Sequence, residues 1–269
     1  MRTIVITGAS SGVGLAAAQE LAAHGDQVVV VGRDAGRLSA AMAAIRAAAT
    51  GPEPGEFRAD FDSLDQVRRL ADRLLAAYPT IDVLANNAGG MLGAYRKTVD
   101  GFEATLASNH LAPFLLTHLL RERLRGKRVV NTASRRHQPT RLDPDDFTGD
   151  PAGWNAWRAY SAGKGANILF TAEAARRWPD VLSVAFHPGV VRTNFGADPV
   201  TRMFYKLAPF LTTPEKAGAL LAWLATAPAE ELRSGAYYVG HEVTTPDRRL
   251  TDPALATRLW ETSTKAVGL

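Results

Sequence analysis

The chain has 269 residues, of which 46% are hydrophobic and 22% charged, with a net charge of +4. This length and balance suit one folded α/β domain and exclude a disordered, fibrous or repeat protein. Without cysteine there are no disulfides or thiolate metal sites, and the six histidines show no metal-like pairing, so no metal is expected. The longest apolar stretch, 111–120, is too short to cross a bilayer and is broken by Thr117 and His118. A strand starts at once, with no charged and apolar leader ahead of it, so the protein is expected in the cytoplasm. The basic runs 121–128 and 135–141 have no interleaved aromatic residues, so they read as solvated faces and nucleic acid is not expected as a partner.

In chain order, the first strand, 2–7, runs into Thr7-Gly8-Ala9-Ser10-Ser11-Gly12-Val13-Gly14, and 15–24 follows as a helix ending at Gly25. Apolar runs at 28–31, 81–84, 129–130 and 181–186 are each followed by helical periodicity. Strands apolar on both faces that alternate with helices predict a mostly parallel, doubly wound sheet with helices on both faces, a single-domain Rossmann fold over 1–269. Glycines between first strand and first helix let the backbone approach a pyrophosphate, whose charge the helix start favours. The second strand ends at Val31-Gly32-Arg33-Asp34, with Gly32 where NAD-binding proteins commonly carry an acid. Arg33 then favours a 2′-phosphate, so NADP(H) is expected in preference to NAD(H). The competing reading is that Arg33 faces water and Asp34 only caps the next helix.

The third strand closes with Arg58-Ala59-Asp60-Phe61, and Asp62 or Ser63 can cap the helix after it. The fourth leads into Asn86-Asn87-Ala88-Gly89. A helix over 101–125 contains Asn109-His110-Leu111-Ala112-Pro113, where Pro113 clashes with the carbonyl of Asn109 and frees it. The fifth strand ends at Asn131-Thr132-Ala133-Ser134, and 26 residues later Tyr160-Ser161-Ala162-Gly163-Lys164 lies in a helix over 157–178. Residues four apart share a helix face, so the ammonium can sit beside the phenol and favour its ionisation. After the sixth strand come His187-Pro188-Gly189-Val190-Val191-Arg192-Thr193 and an apolar segment, 195–212, that reads as a substrate lid or, alternatively, as a dimer face or core.

Taken together, Thr-Gly-x-x-x-Gly-x-Gly, Asn-Asn-Ala-Gly, the strand-end serine and Tyr-x-x-x-Lys resemble the short-chain dehydrogenase/reductase family. Asn109-His110-Leu111, 166–170, the insertion 135–158 and the tail with Leu259-Trp260 resemble its retinol-dehydrogenase-like branch. The resemblance implies a catalytic set of Asn109, Ser134, Tyr160 and Lys164. It implies cofactor contacts from Gly8, Ser10, Ser11, Gly12, Val13, Gly14, Arg33, Asp60, Phe61, Asn86, Ala88, Gly89, Tyr160, Lys164, Pro188, Gly189, Val191 and Thr193. Asp60 would meet the adenine amino group, Thr193 the carboxamide, and Asn109 a water linked to Lys164. Hydride transfer between nicotinamide and a carbonyl or alcohol of a small apolar or aromatic substrate is the implied reaction. An NAD-linked alcohol or steroid dehydrogenase and a non-catalytic NADP(H)-sensing regulator are the alternatives. Family members pair through the helices corresponding to those with Asn109 and Tyr160, so a homodimer or homotetramer is expected.

Overall fold

A computed structural model describes residues 1–138, 142–192, 203 and 211–269. Its centre is one eight-stranded sheet in the order β3-β2-β1-β4-β5-β6-β7-β8. The strands are β1 (Thr3–Thr7), β2 (Gln27–Gly32), β3 (Gly55–Arg58), β4 (Val83–Asn86), β5 (Arg128–Thr132), β6 (Leu182–His187), β7 (Tyr237–Val239) and β8 (Glu242–Val243). All neighbours are parallel except the short edge pair β7 and β8. The expected doubly wound sheet is therefore present.

Side chains alternate across this sheet and divide the core in two. Ile4, Ile6, Val28 and Val30 face helices α1 (Gly12–Ala23), α2 (Ala35–Ala48) and α7 (Pro214–Thr226). Val5, Val29 and Val31 face the layer of α3 (Leu64–Ala77), α5 (Ala112–Leu119), α6 (Ala156–Arg177) and α8 (Pro253–Ala266). Because the order reverses at β1, the chain turns to one face of the sheet after β1 and to the other after β4, which leaves a crevice at the carboxyl ends of the strands.

The expected helix over 101–125 is in pieces. A single turn, α4 (Ala104–Leu106), leads into a π turn over Ala107–Leu111, where the Ala112 N–H donates to the Ala107 carbonyl five residues back. Pro113 then sits in the first turn of α5, where a missing N–H costs nothing. The bend expected at Pro113 thus takes the form of a wider turn before it. Asp34 does cap α2, its carboxylate accepting from the Arg37 N–H at 2.8 Å, and Ser63 rather than Asp62 caps α3.

The C-terminal helix α8 lies over α5 and α6. Trp260 is buried in an aromatic cluster, with ring centroids 5.3 Å from Phe114, 4.8 Å from His118, 5.7 Å from Phe170 and 4.9 Å from Trp178. Fully buried His110 joins it with Nε2 2.9 Å from Ser263 Oγ, and burial lowers its pKa to about 4. The insertion adds to this cover. Phe147 packs against His110, the Thr262 hydroxyl donates to the Pro144 carbonyl at 2.6 Å, and Asp145 pairs with Arg258. No residue of 112–120 or 159–175 is exposed. These faces of α5 and α6 pack against the chain's own α8 and insertion. The lid segment 195–212, apart from Met203, Leu211 and Thr212, lies outside the described residues, as do 139–141 of the insertion. No helix among the described residues is long and apolar enough to cross a membrane.

Removing the indole from this cluster leaves a cavity that its four ring neighbours cannot close. Trp260→Ala is expected to lower unfolding free energy by about 3–5 kcal/mol, read from the urea midpoint at unchanged slope.

Candidate active site

The loop after β1 is shaped by close approaches rather than by side chains. Gly8 has φ 68°, and a Cβ on it would lie 2.7 Å from the Ala88 Cα, so only glycine fits there. Thr7 ties this loop to the one after β4, its hydroxyl accepting from the Asn87 and Ala88 N–H groups, each at 3.0 Å. Ser11 occupies the N-cap of α1, yet no side chain caps that helix end. Ser10, Ser11, Gly12 and Val13 line the crevice there, so the helix start presents N–H groups and partial positive charge to it.

The ends of β2 and β3 form one side of the same crevice. Arg33 lies 3.6 Å from Asp60 and 3.5 Å from Asp62, and all three line the space together with Phe61. A Cβ on Gly32 would stand 3.1 Å from Leu38 and 3.3 Å from the Ser10 Cβ, which leaves little room for a carboxylate at that position. Arg96 holds Asp62 at 2.5 Å from the other side.

Lys164 is the most constrained group. It is 3% exposed, its ammonium donates to the Thr132 carbonyl at the end of β5 at 2.9 Å, and burial lowers its pKa to about 8. The same ammonium stands 5.6 Å from the centre of the Tyr160 ring. Behind it, Gly89 keeps its distance from both neighbours: a Cβ there would lie 2.4 Å from Asn109 Oδ1 and 3.4 Å from Lys164 Nζ. The Asn109 amide nitrogen donates to the carbonyls of Gly90 at 2.9 Å and Thr105 at 2.7 Å. Its Oδ1 is buried with no protein partner among the described residues, an acceptor left over beside the lysine.

Ser134 ends the strand β5 side of the site, its Oγ accepting from the Arg136 N–H at 3.2 Å. His137 braces this turn by donating through Nδ1 to the Ser134 carbonyl while its Nε2 accepts from the Asp247 N–H at 3.2 Å. Ser134, Tyr160 and Lys164 line one cavity of about 1440 Å³ together with the helix start of α1 and Arg33. The separation of 26 positions between serine and tyrosine does not keep them from one cavity, because α6 packs against β5.

Most expected site residues line this cavity: Gly8, Ser10, Ser11, Gly12, Val13, Arg33, Asp60, Phe61, Ala88, Gly89, Pro188, Gly189 and Val191. Three do not. Asn86 points into the core, where its amide donates to Thr117 at 3.0 Å and Asn131 at 2.9 Å; its neighbour Asn87 lines the cavity instead. Gly14 packs behind the loop, where a Cβ would meet the Asn87 amide at 2.6 Å. Asn109 stands behind Gly89. Thr193 lies outside the described residues. Residues missed were Asn87, Arg135, Arg136, Gln138, Trp157, His187 and Arg192. Strand alternation could have separated Asn87 from Asn86, and the three-residue spacing of Trp157 and Tyr160 could have placed the indole on the tyrosine's face.

A model of the short chain dehydrogenase family matches residues 2–144. The chain belongs to that family. DnrU of Streptomyces sp. (strain C5), named as a daunorubicin C-13 ketoreductase, is 50% identical over 267 residues, covering 99% of this chain and 93% of its own. Retinol dehydrogenase 12 of Bos taurus is 36% identical over 278 residues, covering 100% and 87%. These relatives place the chain in the retinol-dehydrogenase-like branch and make it an oxidoreductase. Among solved structures, an uncharacterized protein from Mycobacterium paratuberculosis superposes with a TM-score of 0.81 at 31% identity, covering 100% of this chain and 94% of that one. A short chain dehydrogenase from Shigella flexneri 2a, complexed with NADP, gives 0.70 at 25% identity, covering 90% and 97%.

The buried lysine has a stability signature. The unfolded chain keeps its proton up to the ordinary value of 10.5, whereas the folded chain releases it near 8. Folding stability is therefore expected to rise with pH between those values, by about 3 kcal/mol in total. Urea titrations of wild type and Lys164→Met across pH 7–11 check this, since the variant lacks that rise.

Proposed function

We propose that the protein is an NADP(H)-dependent reductase of an aromatic or otherwise apolar ketone or aldehyde. The observation that carries this reading is the convergence of Ser134, Tyr160 and Lys164 on the cavity that also holds the uncapped start of α1 and Arg33. The residues present fit a nicotinamide dinucleotide. Gly8 opens space for a close backbone approach, the bare helix end suits a pyrophosphate, and Arg33 with Gly32 suits a 2′-phosphate better than a free ribose hydroxyl. When bound, that cofactor supplies or accepts the hydride.

The chain's own groups handle the oxygen. In the reducing direction the Ser134 hydroxyl donates a hydrogen bond to the carbonyl oxygen and Tyr160 delivers its phenolic proton to it, so that hydride on carbon and proton on oxygen complete the alcohol. Lys164 places positive charge beside the phenol and stabilises the phenolate left behind. A lysine with its pKa near 8 is still mostly charged at neutral pH, yet close enough to pass a proton on. The spare acceptor of Asn109, next to Gly89 and the ammonium, suits a water that refills the proton. The ketoreductase name of DnrU supports a polycyclic aromatic ketone as the substrate class, and the retinol dehydrogenases support an apolar one.

Tyr160→Phe is expected to abolish NADPH-dependent reduction while NADPH affinity stays within a few fold; retained turnover would remove the tyrosine from the mechanism. Arg33→Ala is expected to lower kcat/KM for NADPH by about ten- to hundredfold and to leave the NADH value nearly unchanged. Equal losses with both cofactors would instead mark Arg33 as a brace for Asp60 and Asp62.

A further inference from the structure

The charges lining the cavity are segregated along its length. At the ends of β2 and β3 it is lined by Arg33 and Arg37 together with Asp34, Asp60 and Asp62, and each arginine lies within ion-pair distance of an aspartate. Around Ser134 and Tyr160 the lining carries Arg135, Arg136, Arg192 and Lys164 and, among the described residues, no carboxylate. None of these three arginines forms an ion pair with a described residue, whereas Arg2, Arg121, Arg176 and Arg258 elsewhere do. The three arginines are exposed to solvent, and positive charge gathered along one part of a cavity lining makes a field that concentrates anions.

Their placement is also ordered. The Arg136 guanidinium lies 4.6 Å over the ring of Trp157, and that indole meets the Tyr160 ring edge-on with centroids 6.5 Å apart. Stacking on the indole restrains the guanidinium without using its N–H donors, so less freedom is lost when the fork meets a carboxylate. Arg135 directly follows Ser134, and its N–H donates to His187 Nδ1 at 3.4 Å. Burial, then the charges of Arg135 and His137, lower the His187 pKa to about 4, so this lining histidine stays neutral and the guanidiniums carry the charge.

Resting on the reductase reading above, we propose that the substrate is an aromatic ketone bearing an anionic group, a carboxylate in its simplest form, which Arg135 and Arg136 bind while its ring lies against Trp157. Arg192 adds a third positive charge to the field. The anion would fix which end of the substrate enters first and hold the carbonyl at Ser134 and Tyr160, so that specificity is set by charge as well as by apolar area.

The test compares 4-acetylbenzoate and 6-acetyl-2-naphthoate with their primary amides, which match them in shape but carry no charge. Reduction by NADPH and, separately, calorimetric binding to the NADP+-saturated protein are measured for all four. The carboxylates are expected to exceed their amides about tenfold in kcat/KM and in affinity. That advantage should shrink between 20 and 500 mM NaCl, conditions about which screening is first weak and then strong, and should approach unity in Arg135→Gln/Arg136→Gln. Carboxylates bound no better than amides at either length, or an advantage untouched by both salt and substitution, overturns the inference. Turnover of the amides without a carboxylate advantage would leave the reductase reading standing alone. Salt-sensitive carboxylate binding without turnover of any probe would do the reverse. Because the salt dependence is read on the wild type, a variant that fails to fold does not rescue the idea.

Discussion

The arrangement of the site depends on one buried charge. Lys164 is withdrawn from water and bonded to the Thr132 carbonyl at the end of a central strand, and desolvation works against its ammonium form. Much of the neighbouring structure serves to leave it room. Gly89 and Gly163 stand where any side chain would strike Asn109, and the π turn over Ala107–Leu111 carries that asparagine toward the loop after β4. A lysine anchored at a strand end keeps its reach to the tyrosine one helical turn earlier, and α6 is held down in turn by β5 and α8. Fold and chemistry therefore share the same contacts.

The second constraint is the cover over α5 and α6. An aromatic cluster around Trp260 and an insertion that pins Phe147 against His110 bury these helices inside the chain. The helix that carries Tyr160 and Lys164 is thereby buttressed from the rear by the chain's own C-terminal segment. The middle of the insertion is thus a structural brace. One of its ends supplies Arg135 and Arg136 and the other Trp157, and all three line the cavity with the serine and tyrosine.

Electrostatics divides the cavity between two jobs. Near β2 and β3 the arginines are answered by aspartates, so the net field is modest. Near Ser134 the cations are unanswered by described acids, and oxygen bearing partial or full negative charge is favoured there. Both a polarised carbonyl and a substrate anion meet the same field.

By itself the sequence determined the alternation of strands and helices, hence the parallel sheet, because apolar runs on both faces admit few other packings. It also determined the glycine-rich turn and the Tyr160–Lys164 pair, since both rest on local spacing along a turn or a helix. Only the tertiary structure decided which of two adjacent asparagines faces the cavity, because a strand end turns alternate side chains to opposite sides and Asn86 finds its partners on β5 and α5. The same holds for the covered faces of α5 and α6 and for the arginines beside Ser134, which pair with no described acid. Each depends on residues distant in sequence coming together, as Asn86 with Asn131, Asp145 with Arg258 and Trp260 with Phe114 do, and no local periodicity records such meetings.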